Sequence, residues 1–500
     1  MNHRSLPVFL LLVASVVSAP LYAGWWTPAD DEQLRHSIQT LVDRRCLNIT
    51  VTSWPLPWAA LNSLETGDLP SACEVLPATS YVREQMRRDA SASLLRRIEL
   101  AGASDTVLWR DYAGAPREKA VATLALGAEA SQLDLGVSLT AADSDDDELR
   151  ADGSYLALRL GNWALGAGLV ERWWGPGWQS TLAFSHNARP IPALFLGRLH
   201  TTPFESRWLR WLGPWQASVF FGQLDAERVP ADAQLIGMRA AFRPLRGLEI
   251  GLSRTIQWAG QGRPSDFGTL FDALIGRDNG ETSGFGPNED PSDQMGGLDL
   301  RYGTSTGDNT LAVYSQLIGE DEAGFLPSNF IAMAGMELGT NIGAGSQHWF
   351  VEGSNTMAGG WFGNNRPLVA YEHTVYETGF RFKGRNMGST WERDAEVLAV
   401  GFRQYFANRH EFGLTFSHAR LNEADAVRAG SLSPLPPVAL ASGDDSAAIV
   451  AARYRLPWGN SRITLAAHHA SADVPMLAGQ PDRTIVMAGW EYLPAGKRGQ

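Results

Sequence analysis

Between about Ala120 and Tyr492, apolar and polar positions alternate with a period of two, the spacing at which successive side chains of a strand face opposite sides. Leu133, Leu135, Val137 and Leu139 alternate with Asp134, Gly136, Ser138 and Thr140. The pattern returns in Leu156, Leu158 and Leu160, in Leu248, Ile250 and Leu252, in Leu298, Leu300 and Tyr302, and in Phe412, Leu414 and Phe416. From Trp163 to Val170 one face carries Trp163, Leu165, Ala167 and Leu169, and the other Ala164, Gly166, Gly168 and Val170. A bulky apolar face opposite a small or polar one suits lipid outside and a crowded interior. A soluble sandwich also alternates. The barrel is selected by the strand number, about 16 to 18 at ~9 to 11 residues each, by the small inward face, and by Trp and Tyr near strand ends.

The connections are unequal. Short turns such as Pro457–Ser461 read as periplasmic hairpins, and Asp143–Asp152, Gly260–Asp293 and Asn422–Asp445 as outer loops. Within Gly260–Asp293 the spacing of Phe267, Leu270, Phe271 and Leu274 predicts a helical turn or two that folds over or into the lumen. Pro434–Pro437 is a stiff extended piece in another loop. The run ERWWGPGW, Glu171–Trp178, breaks the alternation with Gly, Pro and Trp. The chain must turn sharply there and present large aromatic surface, which together with the longest loop would close the lumen.

Ahead of the strands the period is helical. Thr27, Pro28 and Asp30 resemble an N-cap, a first-turn proline and an N3 acid, followed by Leu34, Ile38, Leu41 and Val42 at helical spacing. Pro57 is placed to open a second helix, with Trp54 and Trp58 as apolar cover, and Val82, Met86, Leu94, Leu95 and Ile98 predict a third ending near Gly102. The N-terminus reads as a secretory signal: His3 and Arg4, an apolar run from Leu6 to Val17, then small residues up to Ala23. Export permits oxidation, so Cys46 and Cys73 are expected to form a disulfide that staples the first helix to the approach of the third. The expected organisation is a signal peptide over 1–23, a periplasmic helical region with the disulfide over 24–118, a transmembrane β-barrel over 119–492 and a tail over 493–500. The fold class is an outer-membrane antiparallel β-barrel of about 18 strands with a small N-terminal α-helical bundle.

Composition agrees with a barrel. Hydrophobic residues are 44% of the 500, Gly numbers 51 and Trp 18, and the mean hydropathy is −0.17. A formal charge of −12 argues against nucleic acid and against bulk electrostatic capture of an acidic polymer, so any anion site must be local. Catalytic constellations are missing. Ser185–His186 and Ser417–His418 are neighbours, and neighbours on a strand point to opposite faces. His418, in phase with the lipid-facing Phe412, Leu414 and Phe416, keeps an outer-membrane lipid hydrolase as a third reading, behind a porin. His468 and His469 have no Cys or carboxylate at ligand spacing. No metal or cofactor is expected.

The runs RWWGPG at Arg172–Gly177, NARPIPAL at Asn187–Leu194 and YEHTVYETGFRFKGRNMG at Tyr371–Gly388 resemble the Wzi-like capsule-assembly proteins. The resemblance extends in order over most of the mature chain, including Trp54–Trp58. One departure is the tail LPAGKRGQ after Tyr492, where such barrels commonly end on an aromatic residue. The resemblance implies a non-enzymatic, lectin-like protein that attaches or organises capsular polysaccharide or exopolysaccharide at the cell surface. Its partners would be that polymer, outer-membrane lipid and the polysaccharide export machinery. Arg381, Lys383 and Arg385 alternate with Phe380, Phe382 and Gly384, so on a strand the three cations would form an interior ladder. Either Glu171, Glu372, Glu377 or Asp394 neutralises it, or part of it meets acidic sugars with Arg172 or Arg189, while Trp173, Trp174 or Trp361 stacks on sugar faces.

Overall fold

A computed structural model of the protein describes residues 24–90, 94–144, 147–275, 291–323, 326–359, 365–366, 369–421, 445–474 and 481–494. The signal segment, the PLPP loop and Trp361 lie outside the described residues. Eighteen strands close into one antiparallel barrel. In chain order they are β1 Leu95–Ala103, β2 Ala120–Ala130, β3 Leu133–Ala142, β4 Tyr155–Leu160, β5 Trp163–Leu169 and β6 Pro192–Arg198. Next come β7 Trp215–Gln223, β8 Gln234–Leu245, β9 Leu248–Trp258, β10 Ser292–Thr306, β11 Asn309–Ala323 and β12 Leu326–Ile342. The wall finishes with β13 Gly345–Gly359, β14 Glu396–Tyr405, β15 Glu411–Leu421, β16 Asp445–Trp458, β17 Ser461–Ala470 and β18 Thr484–Tyr492. The ring is sealed between first and last strands, Ile98 opposite Tyr492 and Ala103 opposite Met487.

The alternation read from sequence is the inside–outside alternation of the wall. Leu156, Leu158, Leu160, Leu252, Leu298, Leu300 and Phe416 are exposed on the outer face, while Asp134, Glu249, Asp299 and Arg301 are buried inside. One rim carries two-residue turns, at 131–132, 161–162, 246–247, 307–308, 343–344 and 459–460, and the other carries the long connections. That asymmetry sets the short-turn rim as periplasmic.

Helix α1, Glu32–Asp43, starts at Asp31, whose carboxylate accepts from Leu34 N at 2.8 Å. The cap is therefore not Thr27; its hydroxyl accepts instead from Leu56 N. All twelve residues of α1 are buried, polar ones included, so α1 is no external cover: it lies across the periplasmic mouth of the lumen. The second predicted helix is a 3-10 turn, Trp58–Leu61, followed by the single turn Ser63–Thr66. Helix α2, Pro77–Ala90, buries Val82 and Met86. It ends well before Gly102, because Leu95 and Ile98 belong to β1, so barrel structure begins at Leu95 rather than near Ala120. Cys46 and Cys73 are bonded, tying the end of α1 to the start of α2.

Two further expectations are corrected. Helix α3, Phe267–Ile275, is formed but lies outside the barrel. Leu270, Ala273 and Leu274 pack on the outward Ile236, Met238 and Ile256, and the outward Arg254 donates to the carbonyls of Ala273 and Leu274 at 2.9 and 2.7 Å. Arg381–Arg385 is no wall strand. It is a hairpin, Arg381 opposite Asn386 and Phe382 opposite Arg385, turning at Lys383 and Gly384 with φ of 49° and 76°, as a two-residue type I′ turn requires.

Candidate functional site

Charged and amide side chains on inward strand positions pin irregular segments inside the barrel. Irregular backbone away from water must find partners, and here the wall supplies them. Glu249 on β9 accepts from Val51 N and Thr52 N at 2.8–2.9 Å. Glu352 on β13 accepts from Trp178 N at 2.8 Å and Ser180 N at 3.0 Å. Gln316 on β11 accepts from Leu182 N at 2.8 Å, and Glu320 from Tyr371 N at 2.8 Å. The alternation around Leu248–Leu252 revealed Glu249 as inward, but nothing in it revealed the partners of any of the four.

Helix α1 is held by ion pairs at both ends. Glu32 meets Arg403 at 3.0 Å and Arg453 at 2.5 Å; Asp43 meets Arg301 at 2.7 Å, and Arg301 also meets Glu337 at 2.6 Å. Burial alone would raise the Glu32 carboxyl, but the guanidiniums of Arg403 and Arg453 override it and hold it at about 2. His36, stacked on Tyr405 and tilted against His348, is pushed down to about 3 by burial and by the second imidazole. Between them, the Arg35 guanidinium lies 4.3 Å from the Tyr112 ring and 4.1 Å from the Trp178 ring and donates to Pro176 O at 2.6 Å.

Of the eight residues considered for polymer contact, the seven that are described fall into two groups. Trp173 and Trp174 pair with Ser53–Trp54 and are 0% and 2% exposed, so they fill the lumen rather than offer a stacking face. Arg381 is buried between Glu372 and Glu392, at 2.8 and 2.9 Å. Of the four carboxylates considered as neutralising groups, Glu372 is the one paired with it. Arg385 donates to the carbonyls of Val107 and Arg117 at 2.9 and 2.8 Å, and burial, with Arg117 close by, lowers it to about 10. The other described three sit toward the long-loop end. Arg189 meets Asp147 at 2.8 Å and Asp152 at 2.9 Å, and Lys383 meets the same Asp147 at 3.3 Å and Glu227 at 3.4 Å. Arg172 donates to Val170 O and lies over the Phe220 ring. The ladder is thus dispersed, and Asp147 joins Arg189 to Lys383.

A model of the capsule assembly protein Wzi matches residues 91–487. The chain belongs to the Wzi capsule-assembly family. A curated relative, an uncharacterised 55.8 kDa protein of the Klebsiella pneumoniae cps region, is 28% identical over 354 residues, 68% of this chain and 67% of its own. Among solved structures, Wzi of Escherichia coli is described as an outer membrane protein involved in group 1 capsule assembly and a carbohydrate-binding β-barrel. It aligns with a TM-score of 0.78 at 22% identity, covering 95% of this chain and 100% of that one. OccD3 of Pseudomonas aeruginosa aligns with a TM-score of 0.44 at 10% identity, covering 81% and 94%. Wzi-family membership and the exposed apolar belt together make this an outer-membrane protein. The Ser–His neighbours lie apart as chemistry. Ser185 donates to Gly388 O while His186 bonds Tyr112 O, and Ser417 is buried inside whereas His418 is exposed.

Proposed function

We propose that this Wzi-family barrel is a lectin-like, non-enzymatic protein that attaches or organises capsular polysaccharide or exopolysaccharide at the outer surface. The observation that carries the reading is a lumen filled from α1 to the Arg381–Arg385 hairpin, with a cluster of opposite charges at its outer end. Arg189, Lys383 and Arg172 are the residues assigned to polymer contact, and Trp173, Trp174, Arg381 and Arg385 hold the inserted segments that carry them. Guanidinium and ammonium groups shared with Asp147, Asp152 and Glu227 can exchange those partners for sugar carboxylates at little net change. The description of Escherichia coli Wzi as carbohydrate-binding supports the same reading. Export machinery would meet the periplasmic helical region, and lipid the outer wall. The test is a deletion strain. It should release its polysaccharide into the medium while still making it; arrest of polymer synthesis, or unchanged attachment, would refute the proposal.

A further inference from the structure

One connection on the periplasmic rim departs from the rest. Arg198 at the end of β6 stands opposite Trp163, beside the turn at 161–162, and Trp215 at the start of β7 stands opposite Phe242, near the turn at 246–247. The connection between them, residues 199–214, therefore lies on the short-turn rim, yet it runs far beyond the two residues of its neighbours. Connections of that length are usually functional. From Phe204 to Trp215 its sequence is FESRWLRWLGPW.

The segment is braced on both sides. Arg210 N donates to Ser206 O at 2.9 Å, and a 3-10 turn, Arg210–Leu212, follows. Gly213 ends it with a φ of 66°, where a Cβ would collide with Arg243 O. The Phe204 ring stacks on Trp215 at 4.3 Å, and Arg198 donates to Trp215 O and Thr202 O at 2.7 and 2.9 Å. Within this fixed loop Trp208 and Trp211 are 81% and 62% exposed, with Leu209 beside them at 41%. A braced segment that holds two indoles away from the protein leaves a large apolar surface without cover.

The surroundings of that surface follow from Trp211. Its ring meets Phe242 edge-on, with 6.3 Å between centroids, and Phe242 is in phase with the outward Ile236 and Met238 of β8. The loop thus bends back over the outer face of the wall and continues the apolar belt at its periplasmic edge. Trp163 and Trp215, T-shaped at 6.2 Å, belong to the same edge. Indole is favoured at that depth, its ring among acyl chains and its N–H among headgroups. Arg207 and Arg210 are exposed beside the indoles, and neither has an ion-pair partner among the described residues. Arg246, in the neighbouring turn, is exposed as well. Set against the single carboxylate of Glu205, in a chain whose formal charge is −12, these guanidiniums make a local cationic edge suited to phosphate.

We propose that residues 204–212 form an interfacial anchor for anionic phospholipid of the periplasmic leaflet, with Trp208 and Trp211 entering the acyl boundary and Arg207 and Arg210 taking headgroup phosphates. Lipid is favoured over a protein partner because Trp211 joins the exposed rings to the lipid-facing wall. The proposal rests on the outer-membrane location and is independent of the polysaccharide reading.

The test uses the full-length protein reconstituted into vesicles. Both cysteines are in the disulfide, so Ser206→Cys carries a single fluorophore, and Gln132→Cys, in the turn at 131–132 on the same rim, carries it as a reference. The quencher is a lipid with a nitroxide headgroup, in phosphatidylcholine alone or with about one third phosphatidylglycerol. Quenching at 206 should rise roughly twofold with phosphatidylglycerol. Arg207→Gln with Arg210→Gln should abolish that rise, and Trp208→Ser with Trp211→Ser should lower quenching in both lipids by about half; neither pair should change the signal at 132. Heat-modifiable mobility on gels reports folding, and if the double tryptophan variant fails to fold, Trp208→Ser alone decides. Quenching that ignores the tryptophans, no rise with phosphatidylglycerol, or a rise that survives the arginine changes would overturn the proposal. Light scattering in detergent tests the other occupant: a dimer that the tryptophan changes convert to monomer would make this surface an interface between copies and overturn it as well.

Discussion

Replacing Glu32 by Gln should loosen α1 from the barrel while leaving the wall intact. Glu32 is 2% exposed and joins Arg403 and Arg453. Its carboxyl sits at about 2 against an ordinary value of 4.5, a gap that corresponds to roughly 3 kcal/mol favouring the charged form in the docked helix. Breaking a buried pair costs a similar amount, about 3 to 5 kcal/mol. Asp111, at 3.2 and 3.6 Å from the same two guanidiniums, retains part of their compensation, so the lower figure is expected. Because the native value is depressed, this stabilisation is complete above about pH 4.5 and is lost as pH falls toward 2. The measurement is far-ultraviolet circular dichroism during heating, with limited proteolysis of residues 24–90 in detergent. At pH 7 the variant's helical signal should melt, and its N-terminal region become cleavable, below the temperature at which the barrel unfolds. The difference from the parent protein should shrink as pH approaches 2. A variant that melts with the parent at pH 7, or a difference that ignores pH, refutes the reasoning.

Replacing Cys46 and Cys73 by Ser should lower the melting of the helical region by about 3 to 4 kcal/mol, the loop-closure value for the 27-residue separation, and added reductant should do the same to the parent. Planar-bilayer recordings should show no large, steady conductance, because α1 and the inserted segments occupy the lumen; porin-like channels would contradict the filled interior. Arg381→Gln should leave Glu372 and Glu392 buried without their guanidinium and destabilise the protein by about 3 to 5 kcal/mol, seen as a lower heat-modification temperature. Lys383→Gln should leave that temperature unchanged and reduce polymer retention on cells; the opposite pattern would exchange their roles.

Alternation made the wall legible because each strand sees lipid on one side and protein on the other, a contrast that survives in sequence. It failed at β1, where Arg96 and Arg97 stand together and Leu94, Leu95 and Ile98 imitate helical spacing. It also failed at Arg381–Arg385, since a two-residue hairpin and a continuous strand share the same alternation. The Lys383–Gly384 pair was the available signal, as glycine at the second turn position suits a positive φ. Helix α3 was legible as a helix, but its apolar stripe fits an outer wall as well as a lumen. His186 and Tyr112, which bond inside the lumen, come from two loops whose meeting no local pattern encodes.

The seam between β1 and β18 joins the most widely separated strands of the wall, and the long loop closure this requires makes it a late pairing. Residues of α1, by contrast, precede every strand and are bonded by side chains of β10, β14 and β16. Assembly therefore has an order written into the chain: this helix exists before the wall that encloses it, and the last step is to shut the wall around it.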